Sequence, residues 1–191
     1  MHWIWANRVN ADDQALVYGT PAAIEADDDL SFEEGNRVTR KVPAVTVELD
    51  KDSQGKLTDN LIAGGVRGLL FNARLRDVFT SLGVDNLQYF PCHLRNLVTR
   101  ASSDDYEIAN IIGRVECVDF GKSEVTRFRR NPSQLMLIEK LALDAKKARG
   151  HDLFRLHEQP QIIVVSERVK RACEKKKITG VVFFAPEDFI F

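Results

Sequence analysis

A cysteine beside a histidine is the first pair in this chain that could do chemistry, because a thiolate nucleophile needs a base within hydrogen-bond reach. The pair is Cys92-His93. On an extended segment neighbouring side chains point to opposite faces, so the imidazole cannot serve the thiol, and the reading is a structural cysteine. Cys173 falls at an apolar helical position with Val169, where a small thiol packs as a hydrophobe. With Cys117 the cysteines number three, widely spaced and without a C-x-x-C pair, which fits reduced thiols in a cytosol rather than a disulfide framework. A metal site would need clustered ligands, yet the four histidines, His2, His93, His151 and His157, come no closer than six residues. Gly64-Gly65-Val66-Arg67-Gly68 lacks the spacing of a phosphate-binding loop and reads as a flexible lead into Leu69. No catalytic, cofactor-binding or metal-ligating residue is assigned, no cofactor is expected, and the chain is not expected to be an enzyme.

Charge supplies the remaining candidates. Arg127, Arg129 and Arg130 cluster around Phe128, and Lys175-Lys176-Lys177 follows a helical pattern. Basic residues around an aromatic can track a nucleic-acid backbone and stack a base. Lysines late in a helix also complement the negative end of its dipole, which explains that run more simply. The formal net charge is −1, too small for a whole-molecule field that gathers nucleic acid or anionic lipid, so neither is an expected partner. The charge is uneven: residues 1–60 carry twelve Asp/Glu against six Lys/Arg, and residues 61–191 sixteen against twenty-one. The acidic stretch of Asp27, Asp28, Asp29, Glu33 and Glu34 is the candidate partner-binding surface.

The elements that must position these groups read as follows. At 191 residues, 44% apolar and 29% charged, the chain has the composition of one ordinary globular domain, residues 1–191, with an acidic N-terminal region over 1–60. Residues 1–8 suit a short edge strand, and residues 19–35 a surface loop. Residues 44–49 suit a strand ended by a hydrophilic turn over 50–55. Leu69-Leu70-Phe71 is a strand; Asn72 caps a helix whose apolar face holds Leu75, Val78, Phe79 and Leu82; Gly83 closes it, and residues 87–90 form the next strand. Ninety-four residues on, the same grammar returns without a gap. Asn72 meets the cap Ser166, Arg74 meets Arg168, Leu75 meets Val169, Val84 meets Ile178, and Tyr89-Phe90 meets Phe183-Phe184. Between the modules, residues 106–112 and 115–120 suit a hairpin turning at Gly113-Arg114. Residues 125–130 suit a strand or an exposed basic edge, residues 135–143 either strand or helix, and residues 152–157 a half-buried strand. The fold class is α+β, a mixed and mainly antiparallel sheet with few helices.

The chain starts without a secretory signal, and no apolar run is long enough to span a bilayer, so a cytoplasmic protein without a membrane partner is expected. Three segments in order are familiar as a set. They are Arg76-Asp77-Val78-Phe79 through Gly83 to Leu87-Gln88-Tyr89-Phe90-Pro91, then Tyr106-Glu107-Ile108-Ala109-Asn110 with Val115-Glu116-Cys117-Val118-Asp119, and finally Leu153-Phe154-Arg155-Leu156 with residues 163–170 and 179–183. Together they resemble the eleventh immunity-protein family of bacterial polymorphic toxin systems, over roughly residues 69–184, with the acidic N-terminal region poorly covered. The resemblance implies a cytoplasmic antitoxin that neutralises a secreted toxin by direct binding, with the cognate toxin as partner. It supplies no catalytic residues and leaves a homo-oligomer open. The alternatives are a small enzyme, which would need a pocket of converging polar groups, and a nucleic-acid-binding module, which would gather Arg127, Phe128, Arg129 and the lysine run on one face.

Overall fold

Short β-branched and aromatic runs separated by turn residues give a chain built mostly of strands. In the computed structural model, which describes residues 1–7, 14–17, 19–27 and 29–191, the N-terminal part holds strands β1 (His2–Asn7) and β2 (Ala15–Val17), helix α1 (Ala22–Glu25), then β3 (Val45–Gln54) and β4 (Asn60–Ala63). The middle holds β5 (Leu69–Asn72), helix α2 (Ala73–Ser81), β6 (Leu87–Arg95), β7 (Ser102–Ser103), β8 (Tyr106–Ile111) and β9 (Arg114–Val115). The remainder holds β10 (Glu124–Arg127), β11 (Leu135–Lys140), β12 (Leu153–Leu156), β13 (Gln159–Ser166), helix α3 (Glu167–Lys176) and β14 (Val181–Phe184). Mixed sheets with few helices make the protein α+β, as the sequence indicates.

One sheet runs β3-β2-β4-β5-β8-β6-β7 and closes on itself, because β3 also pairs in parallel with β6 through Val45↔Cys92 and Val47↔Leu94. The closed part is a small barrel filled by Val17, Val45, Val47, Leu61, Leu70, Leu94 and Ile108. A second sheet runs β14-β1-β13-β12-β9, and β10 and β11 form a two-stranded sheet among the described residues.

The 94-residue relation holds in three dimensions. In the first module β8 lies between β5 and β6, antiparallel to both; in the second β1 lies between β13 and β14, again antiparallel to both. Outside them, β4 pairs with β5 as β12 pairs with β13. Asn72 accepts from the Leu75 N–H at 3.1 Å and Ser166 from the Val169 N–H at 3.3 Å, each satisfying a donor that the first helical turn leaves unpaired. Both helices end alike, with Val84 N–H donating to Phe79 O and Ile178 N–H to Cys173 O across a left-handed residue, Gly83 or Lys177. The helices pack together, and Trp5 of β1 joins the modules by touching Phe71 and Phe79 of the first and Phe183 of the second.

Several local expectations change. The N-terminal segment is a central strand, not an edge, because both its neighbours come from the far end of the chain. Residues 19–35 contain α1 and send Ile24, Leu30 and Phe32 into the barrel core. The hydrophilic stretch after Leu49 stays extended as part of β3 because it pairs with β2, Ala15 against Gln54. The hairpin at Gly113-Arg114 does not form. Gly113, at φ 101°, redirects the chain so that β9 pairs in parallel with β12 rather than folding back on β8. Residues 135–140 are strand, and all of β12 is buried, Arg155 included, because cores lie on both its faces.

Candidate functional site

The thiols are confined by burial. Cys92 faces the barrel core and Cys173 the core beneath α3, while Cys117 lies under the β10–β11 pair. Burial pushes all three up to about 12, which disfavours their thiolate form near neutral pH. His93 points outward and meets Asp104 at 2.6 Å, away from Cys92. No group of three His, Cys, Asp or Glu side chains among the described residues could hold a metal ion. A cavity of 840 Å³ bounded by Met1, the 121–124 turn and the end of β11 contains Lys122 and Ser123. Lys122 is tied to Asp119 at 2.7 Å, and the Ser123 hydroxyl donates to the Asp119 carbonyl at 2.8 Å; His2, Glu124, Lys140 and Glu187 also line the cavity.

Two carboxylates that the sequence reading passed over build matching clusters at the helix starts. Asp59, just before β4, takes hydrogen bonds from the Asn72 amide (3.0 Å), the Arg74 guanidinium (2.8 Å), and the Thr179 backbone N–H (2.7 Å) and hydroxyl (2.8 Å). Asp152, just before β12, takes them from the Ser166 hydroxyl (2.6 Å) and from Arg168. In each module the cap residue's own N–H donates to that aspartate's carbonyl. Burial works to raise the Asp59 carboxyl, but its four donors together hold it below the usual range. Arg168 does the same for Asp152, against some burial. The signal in the sequence was an aspartate immediately before a strand in both modules, at an offset of 93 instead of 94.

The acidic stretch is distributed over several environments. Asp27 pairs with Arg40 at 2.9 Å, Asp29 and Glu34 are exposed, and Asp28 lies outside the described residues. Glu33 is half-buried and its carboxyl is raised, by burial first, with the nearby Arg155 charge pulling the other way. Arg155 itself is 1% exposed; its guanidinium donates to Phe32 O at 2.9 Å and Pro160 O at 2.8 Å, so it staples the acidic segment to the start of β13, just after the turn from β12. Burial lowers its pKa to about 10, leaving it a cation at any physiological pH.

That turn and the start of β13 also hold the rung of the arginine-bearing hairpin beside its loop, where Leu135 pairs with Arg127. Leu135 N–H donates to Glu158 O at 2.8 Å, the Gln159 amide donates to Leu135 O at 3.1 Å, and the buried Glu158 carboxylate accepts from Val118 N–H at 3.0 Å. Arg127, Phe128, Arg129 and Arg130 are exposed at the hairpin's tip. The lysine run is elsewhere. Ile163 and Val165 of β13 face the helices, whereas Ile162 and Val164 face the hairpin side, so Lys175–177 and Arg127–130 stand on opposite sides of the five-stranded sheet.

No helix among the described residues is long and apolar enough to cross a membrane. The sequence model of a family described as "Immunity protein family (Imm11)" matches residues 8–188, well beyond the 69–184 core of the resemblance and through the acidic N-terminal region. No curated protein matches the chain.

Proposed function

This chain belongs to the Imm11 immunity protein family, and from that membership we propose that it neutralises a cognate bacterial toxin by direct protein–protein binding in the cytoplasm. The observation that carries the reading is the family match along residues 8–188. Supporting it, the cysteines are buried in cores, while acidic and arginine groups are left exposed at the surface. Such a molecule works by occupying a surface of its target rather than by turning over a substrate. Competition between neighbouring bacteria armed with polymorphic toxins is the setting in which that activity is useful.

The acidic segment of Asp27, Asp28, Asp29, Glu33 and Glu34 is proposed as one contact region. Asp29 and Glu34 are free to meet a basic patch, and Arg155 fixes the backbone that presents them. Charged groups at an interface act mainly on encounter rate and specificity. Reversing Asp29 and Glu34 to lysine is expected to slow association about 10-fold at low salt, with the difference shrinking as salt rises. The deciding experiment co-expresses the chain with the toxin domain encoded beside it. Growth rescue together with a co-purifying complex is expected; neither rescue nor complex overturns the reading.

A further inference from the structure

We propose that the tip of the β10–β11 hairpin is a docking arm for an acidic, partly apolar protein surface, and, resting on the antitoxin reading, that this surface belongs to the toxin.

The hairpin is anchored along β11 up to the Leu135 rung beside the loop, and bare from Arg127 through the loop. Leu135, Ile138 and Leu141 anchor it in a core, and Ile138 exchanges backbone hydrogen bonds with Phe191, at 2.8 and 3.1 Å. Burial recurs at every third position of this segment, so Met136 and Leu137 fall between anchors and stay 50% and 41% exposed. Across the pairing, Thr126 faces Leu137 and Arg127 faces Leu135. The loop beyond is closed by Phe128 N–H donating to Gln134 O at 3.1 Å and Gln134 N–H to Asn131 O at 2.9 Å, with the Ser133 hydroxyl on the Asn131 side chain at 2.6 Å. A loop already ordered loses little entropy when it is engaged.

The chemistry of the tip specifies its occupant. Arg127 lies 3.8 Å over the ring of Phe120, which holds its guanidinium in place without neutralising it. Among the described residues no carboxylate pairs with Arg127, Arg129 or Arg130, although paired arginines are common elsewhere in the protein. Phe128 is 43% exposed beside them. Unpaired arginine mixed with exposed aromatic and methionine side chains is the composition of protein-interface hot spots, from which lysine is depleted. Three cations call for carboxylates, and Met136 and Leu137 call for apolar surface. A nucleic acid would meet the arginines but offers little to Met136 and Leu137. The lysines that would extend a phosphate track lie across the sheet.

The test uses the full chain and the toxin domain encoded beside it, with affinity read at low and physiological salt. R127E/R129E/R130E is expected to weaken binding at least about 100-fold and to flatten the salt dependence, and F128A/M136S to weaken it about 10-fold. The opposite-face control, K175E/K176E/K177E, should stay within about 3-fold of wild type, with unchanged circular dichroism establishing that each variant folds. Wild-type binding that the hairpin variants retain in full overturns the docking arm and leaves the antitoxin reading standing; a wild type that binds no toxin overturns both. Saturable binding of a single-stranded oligonucleotide at physiological salt, lost in the triple-arginine variant while toxin affinity is unchanged, would assign the tip to nucleic acid instead.

Discussion

Lys177 and Arg155 sit where their type is costly, the three cysteines where theirs is not, and each case makes a measurable prediction. Lys177 occupies the left-handed position that Gly83 fills in the other module, at φ 52°. A side chain there strains the backbone by about 1 kcal/mol, part of which glycine returns as unfolded-chain entropy, so K177G should raise stability by about 0.5 kcal/mol in urea melts. Arg155 is a buried cation whose Nε finds no partner among the described residues, held by two carbonyls. Its truncation in R155A should cost about 3 kcal/mol, because those carbonyls lose charge-assisted donors in a buried setting. The same variant should speed amide exchange in residues 32–35, the segment that it staples. The thiols should react with an aromatic disulfide reagent only on the unfolding timescale, since burial holds Cys92, Cys117 and Cys173 up to about 12.

At the scale of elements, the repeated strand-cap-helix-strand grammar was legible because its signals are local. A short polar cap, a 3.6-residue apolar rhythm and a left-handed terminator act within one helix, and both modules obey them at the same offset. Removing either cap, N72A or S166A, should cost about 1 kcal/mol in thermal or urea unfolding. Each cap also donates to its module's aspartate; the N72A cost should be the larger of the two, because Asp59 is buried whereas Asp152 is partly exposed. Less was readable where strands choose partners. Nothing in Val115 announces that it will pair with Leu156 instead of folding back on β8, and the polar end of β3 is extended only because β2 lies beside it. Of the charged candidates, the sequence displayed Asp27–Asp29 and Glu33-Glu34 as one block. The fold ties Asp27 to Arg40 and turns Glu33 toward Arg155.

For the whole molecule, the core shared by the modules couples them: Trp5, Phe71, Phe79, Ile163 and Val169 belong to one cluster. We expect a single cooperative unfolding transition, with fluorescence of the tryptophans and far-ultraviolet circular dichroism coinciding. Its pH dependence follows from the carboxylates. Asp59 and Asp152 titrate below 3.8 in the folded chain, so the stability that they add is present above that value and is lost as pH falls through their depressed range. Glu33, raised above 4.5, has the opposite sign: it favours the folded state when protonated and withdraws that support as pH rises through its folded value. D59N/D152N should therefore flatten the acid limb of a stability profile, and E33Q should raise stability at neutral pH.

The sequence by itself determined the class of fold, the two modules and their caps, and the family resemblance, because these rest on short-range periodicity and residue type. Only the tertiary structure decided that the barrel closes through β3 and β6, that the N-terminal strand is central, that Arg155 is interior, and that the arginine tip and the lysine run face opposite ways. Those outcomes depend on which distant strands come to share hydrogen bonds and which faces they cover. That is a property of the packed chain as a whole, and no local window of residues encodes it.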